Sequence, residues 1–154
     1  MEFDRTQSAG YLGNVMARLL TRALHMEIED YGLAPAQFMT MVEIWRDPGV
    51  TQRLLVDRLG VEQGTMTNTL ARMERDGFIV RRPHETDGRA QTVHLTKKAQ
   101  EILEPTILGA IRSNEAALGC LTDTEREQFL DLMQKVIECL RAHVNGPHDS
   151  SGEN

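Results

Sequence analysis

The sequence predicts a mainly α-helical fold with a small β-wing: a winged helix-turn-helix flanked by N- and C-terminal dimerisation helices. Three observations predict it. Apolar residues recur at helical spacing along most of the 154 residues. Within residues 51–77, two such runs are joined by a few residues at Gly60, and a joint that tight forces a steep crossing. Directly after the second run, two alternating segments flank a charged tip, as in a hairpin.

The elements follow in order. Residues 1–7 are expected to fray. From Ser8 to about Asp30, Leu12, Val15, Met16, Leu19, Leu20, Ala23 and Met26 form one helical stripe, broken by Gly32-Leu33. Pro35 suits the first turn of a second helix, where its missing amide proton costs nothing. Phe38, Met41, Val42 and Trp45 are its expected buried face, and Asp47-Pro48-Gly49 ends it. Val50 is expected to make a single short strand beside the wing.

Thr51 is a good N-cap for the third helix, because its hydroxyl accepts from free amides of the next turn. Leu54, Leu55 and Leu59 supply its apolar face, and Gly60 stops it in the left-handed conformation. A fourth helix runs from about Gln63 to Asp76, with Met66, Leu70 and Met73 inward and Gly77 closing it. Residues 78–82 and 91–95 read as strands, and Asp87-Gly88 at the tip is a turn signal.

After Thr96 a long helix carries Ile102, Leu103, Ile107, Ala110 and Ile111. Pro105 lies inside it, and an interior proline costs on the order of 3 kcal/mol, so a bend or a break near Glu104 is expected. Residues 117–120 end the segment. Thr122-Asp123-Thr124-Glu125 is a capping box that starts the last helix, whose stripe is Phe129, Leu132, Met133, Val136, Ile137, Leu140 and Val144. This divides the chain into an N-terminal dimerisation helix (1–34), a DNA-binding region (35–96), C-terminal dimerisation helices (97–145) and a polar tail expected to be disordered (146–154).

The outward face of the fourth helix carries the chemistry. Gln63, Thr65, Thr67, Asn68, Thr69 and Arg72 are donors and acceptors that reach base edges and phosphates in a major groove. An ordinary solvated face is the competing reading. Such faces favour Glu and Lys, whereas three threonines and an asparagine are poor helix formers. Thr51, Arg75 and Arg82 flank this face. Asp87 and Arg89 sit at the wing tip, where an arginine suits a narrow minor groove.

Residues 59–96 resemble the winged helix-turn-helix of the MarR family of bacterial transcriptional regulators. The resemblance is carried by Thr65-Met66-Thr67, Leu70, Met73, Gly77-Phe78-Ile79, Asp87-Gly88-Arg89, Val93 and Leu95-Thr96. Its most specific part is the Asp-x-Arg of the wing, followed six residues after the arginine by Leu-Thr. Many relatives carry Arg after the second threonine of the recognition helix. This chain has Asn68, and Asn suits adenine where Arg suits guanine.

Composition bounds the function. Hydrophobic content of 40% suits one domain with a folded core. No run of eighteen apolar residues spans a membrane, and the N-terminus lacks a basic-then-apolar signal, so a cytoplasmic protein is expected. The net charge is −6, but residues 51–96 hold seven arginines against six acids, so the excess acid lies elsewhere. Binding to DNA must therefore use placed arginines rather than a general field. Apolar stripes on the terminal helices call for a second copy, and a twofold homodimer places two recognition helices about 34 Å apart on a palindromic operator. The family resemblance implies the same dimer.

No nucleophile-base pair, phosphate loop or Cys/His cluster is present, so no enzyme and no cofactor is expected. His25, Glu27, Glu29 and Asp30, like His84, Glu85 and Asp87, read better as solvated polar clusters than as metal sites. Cys120 and Cys139 are expected to be buried structural cysteines rather than a thiol switch; some MarR-like proteins sense oxidants through a first-helix cysteine, which this chain lacks. Tyr11, Met16, His25, Met39 and Trp45 are the candidate effector-binding residues, and the resemblance implies phenolic or other aromatic acids. A dimeric repressor released by a small molecule is the expected function. The alternatives are a winged-helix interaction module without DNA binding and a thiol-based redox regulator.

Overall fold

Ser8 accepts a hydrogen bond from the Tyr11 amide and so opens the first helix, α1 (Ala9–Ile28). The computed structural model describes residues 4–84 and 90–145, which fold as two compact units, Met1–Ala116 and Ala117–Asn154. The first unit continues with α2 (Pro35–Arg46), β1 (Val50–Thr51), α3 (Gln52–Leu59), α4 (Gln63–Arg75), β2 (Ile79–Pro83), β3 (Gln91–Leu95) and α5 (Lys97–Ala117). The second holds α6 (Asp123–Asn145). No helix among the described residues is long and apolar enough to cross a membrane.

The expected order of elements is therefore present. Gly60 is left-handed at φ 63°, and Gly77 is likewise at φ 76°, where a side chain would be strained. The sheet is antiparallel in the order β1-β3-β2, with Val50 opposite Val93 and Arg81 opposite Val93 on the other side. Phe38, Met41, Ile44, Leu55, Met66, Leu70, Met73, Phe78, Ile79 and Val93 are buried together beneath it. At Gly109, α5 comes close to α1: a Cβ there would meet the Glu27 backbone oxygen at 3.2 Å. Arg112 closes the same crossing with a 2.9 Å ion pair to Glu27.

Several expectations need correction. The segment expected to fray contains a 3-10 turn at Arg5–Gln7, because Asp4 accepts from the Thr6 amide and hydroxyl. On α2, Ile44 is buried and Trp45 is 52% exposed, so the helix turns inward one residue earlier than the aromatic suggested. On α3, Leu55 is buried and its neighbour Leu54 is exposed, since adjacent helical residues cannot share a face.

Pro105 does not break α5, which runs continuously through it. The Thr106 hydroxyl donates toward the Ile102 and Leu103 carbonyls (2.8 and 2.9 Å), adding side-chain bonds beside the missing amide. Both cysteines are exposed, not buried: Cys120 lies in the turn after α5, and Cys139 lies on α6, where no described side chain is buried. The expected tail, 146–154, lies outside the described residues. In the second unit, Thr122 and Glu125 form the expected capping box, and both Thr122 bonds hold the Glu125 carboxyl below its ordinary range.

Candidate nucleic-acid interface

The α4 helix is held from behind. Met66, Leu70 and Met73 are at most 2% exposed, so the opposite face must point away from the core. Its C-terminus is tied to the start of α5. Lys98 donates to the Asp76 carbonyl at 2.7 Å and lies 4.5 Å over the Phe78 ring. The Thr96 hydroxyl donates to the Gly77 carbonyl at 2.7 Å and accepts from the Ala99 amide at 3.2 Å. Thr96, the threonine of the Leu-Thr pair that carries the family resemblance, thus caps α5 and fastens it to the end of α4.

The outward residues differ in what they leave available. Gln63, Thr65, Thr67, Asn68, Arg72 and Arg75 are exposed, and Thr69 is half-buried. Thr67 donates to the Gln63 carbonyl and Thr69 to the Thr65 carbonyl, both at 2.9 Å. Threonines in helices commonly bond back in this way. Thr67 also accepts from the Gln52 side-chain amide at 2.7 Å. Gln52, absent from the sequence expectations, is therefore clamped against α4. Nothing in its local spacing reveals this, because it depends on the α3–α4 crossing.

The arginines divide likewise. Arg75 is committed to Asp76, with contacts of 2.9 and 3.3 Å. The Arg75 hydrogen bond, supported by Gln37 and Lys98, holds the Asp76 carboxyl below the ordinary carboxylate range. Arg81 pairs with Glu74 at 3.2 Å. Among the described residues, Arg53, Arg72 and Arg82 pair with no acid and remain exposed. Arg53 was also missed; its signal was its place in the first turn of α3, next to the capping Thr51.

Thr51 caps α3, accepting from the Leu54 amide at 3.4 Å. With Gln52, Arg53, Gln63, Arg81 and His84 it lines a groove of about 490 Å³ between the starts of α3 and α4 and the wing strands, whose floor includes Ala90 and Val93. Among the described residues no carboxylate lines that groove, which suits a phosphodiester backbone. Asp87 and Arg89 lie outside the described residues.

Two of the effector candidates on α2 line separate hollows. Trp45 lines a hollow of about 320 Å³ with Ile44, His94, Leu95, Gln100 and Leu103. Met39 lines a different one of about 170 Å³, against Leu59, Val61, Thr65 and Thr69. Tyr11, Met16 and His25 lie on α1 and line neither, and His25 pairs with Glu29 at 3.4 Å.

The sequence profile of the MarR family matches residues 31–90. The transcriptional regulator HosA of Escherichia coli O111:H- is 34% identical over 105 residues, covering 68% of this chain and 78% of HosA. The chain belongs to the MarR family. A MarR-family regulator of Listeria monocytogenes, solved with a 26mer DNA, shares the fold at a TM-score of 0.83 and 24% identity, over 96% of this chain and 99% of that one. The PcaV regulator of Streptomyces coelicolor, solved with its natural ligand, has a TM-score of 0.81 at 21% identity, over 90% and 97%. This member of the MarR family is a DNA-binding transcriptional regulator and not an enzyme.

Proposed function

We propose that this MarR-family chain acts in the cytoplasm as a homodimeric repressor that a small aromatic molecule releases from a palindromic operator. The observation that carries the dimer is the uncovered apolar surface of the terminal helices. Leu12, Leu19 and Met26 recur every seven residues on α1 and are 50%, 62% and 70% exposed. Leu132, Val136, Leu140 and Val144 recur every four on α6 and are equally bare. Each stripe is left uncovered within its own unit, and a second copy supplies a matching apolar surface. The residue divisions 1–34, 35–96 and 97–145 follow these roles.

The DNA face consists of Thr51, Gln63, Thr65, Asn68 and Arg72, with Arg82 on the wing strand and Asp87 and Arg89 at the wing tip. The Trp45 hollow is the effector site that the geometry favours. PcaV, of the same fold, was solved with its natural ligand, which supports a ligand-responsive reading here.

A ligand that prefers a lobe spacing unsuited to DNA weakens operator binding by the same factor that DNA weakens ligand binding. Trp45 is the sole tryptophan, so its fluorescence reports binding. In gel shifts with the upstream region of its own gene, the protein should form a salt-sensitive complex. A saturating aromatic acid such as salicylate should weaken that complex by about 5- to 150-fold. Quenching of Trp45 without any change in operator affinity refutes the coupling.

A second reading has one observation in its favour. Arg75 and Arg81 are tied to acids in a chain of net charge −6, which suits a protein-interaction module without DNA binding. Absence of a salt-sensitive complex with any promoter fragment would favour it.

A further inference from the structure

The outward face of α4 separates into two rows with different work to do. Gln63, Thr67 and Ala71 are one row, four residues apart, leaning toward α3. In that row the Thr67 hydroxyl is saturated: its proton goes to the Gln63 carbonyl and it accepts from Gln52. Thr65, Asn68 and Arg72 form the other row, at spacings of three and four. Among the described residues the side chains of Thr65, Asn68 and Arg72 have no partner.

Asn68 is the apex. At about 100° per residue it stands roughly 200° round the helix from Met66 and about 160° from Leu70, hence opposite the buried face. Gly64, one turn earlier, has open space where a Cβ would stand, so nothing there blocks close approach to a base-pair edge.

Resting on the reading that α4 enters the major groove, we infer that Asn68 determines the base specificity of the recognition helix by bidentate pairing with an adenine, and that Thr67 is a positioning residue that does not read a base. A carboxamide offers one donor and one acceptor in a plane. Adenine's N6 and N7 present the complement, whereas guanine's O6 and N7 are both acceptors. Arg72, one turn on, supplies charge to the same groove wall. Thr67 instead sets the distance between α3 and α4 through Gln52.

The test is selection from a pool of randomised duplexes by the full-length protein, followed by sequencing. The wild type should enrich a site with one adenine per half-site favoured about 5- to 150-fold over other bases. Asn68→Ala should flatten that position alone, and Asn68→Arg should convert it to guanine. Thr67→Val, which removes the hydroxyl at constant shape, should weaken binding at every sequence without moving the preferred base. An Asn68→Ala profile identical to wild type, or one flattened equally at all positions, overturns the assignment. So does a changed base preference in Thr67→Val. A wild type that enriches no sequence at all would instead remove the underlying DNA-reading role, a result distinct from either.

Discussion

The helices α4 and α6 carry apolar stripes of the same period and meet opposite fates. On α4, Met66, Leu70 and Met73 are at most 2% exposed. On α6, nearly twice as long, no side chain among the described residues is buried, and Leu132 and Val136 are 61% and 53% exposed. A helix of mixed polarity is not held by propensity alone; it persists through tertiary packing of its apolar face. For α4 that packing is internal. For α6 the proposed dimer supplies it from a second chain. Periodicity therefore locates a face but is silent about what covers it.

That contrast can be broken in a graded series. Leu132→Glu should have the largest effect, because an unpaired charge in an apolar interface costs several kcal/mol. Sedimentation at micromolar concentration should show the wild type as a dimer and the variant as a monomer. A wild-type monomer would remove the contrast altogether.

Leu70→Ala comes next, at about 2–5 kcal/mol for a buried leucine. Its loss should show as a lowered midpoint whose size does not depend on protein concentration, whereas that of Leu132→Glu should.

Asp76→Asn should be the smallest and should depend on pH. The folded-state pKa of Asp76 lies below its ordinary value of 3.8, so its stabilisation is present above that pH and disappears as pH falls through the folded value. The difference in midpoint between variant and wild type should thus be full at pH 7 and close on acidification below about 3.8. A difference that stays constant on acidification would show that Asp76 acts through packing instead.

Most of the fold was legible because its punctuation is local. Gly60, Gly77, Thr51 and the Thr122–Glu125 box act within a few residues of themselves, and each does in the structure what its chemistry demands. The errors fell where neighbours competed. Leu54 and Leu55, or Ile44 and Trp45, fit a helical stripe equally well, and only the elements packed against α2 and α3 decide between them. Around the interface, residue types were readable but their commitments were not. Whether Thr67 is free or saturated depends on Gln52, fifteen residues away across a helix crossing. Whether Arg75 is a free cation depends on Asp76, whose acid group Gln37 also approaches at 3.4 Å. The effector residues were least legible, since Met39 and Trp45 share α2 yet face different hollows.

The fastening of α4 to α5 makes a lever of the longer helix. Thr96 and Lys98 grip the last turn of the recognition helix and the strand start beyond it through short hydrogen bonds and a cation stacked on Phe78. These contacts leave little play at the pivot. The twenty-one residues of α5 extend about 30 Å from there, so a swing of about 5° displaces the far end by roughly 2–3 Å. By the same ratio, a displacement of that size imposed at the far end turns the recognition helix through about 5°. Pro105, near the middle, is where such an arm has one backbone bond fewer to resist flexing.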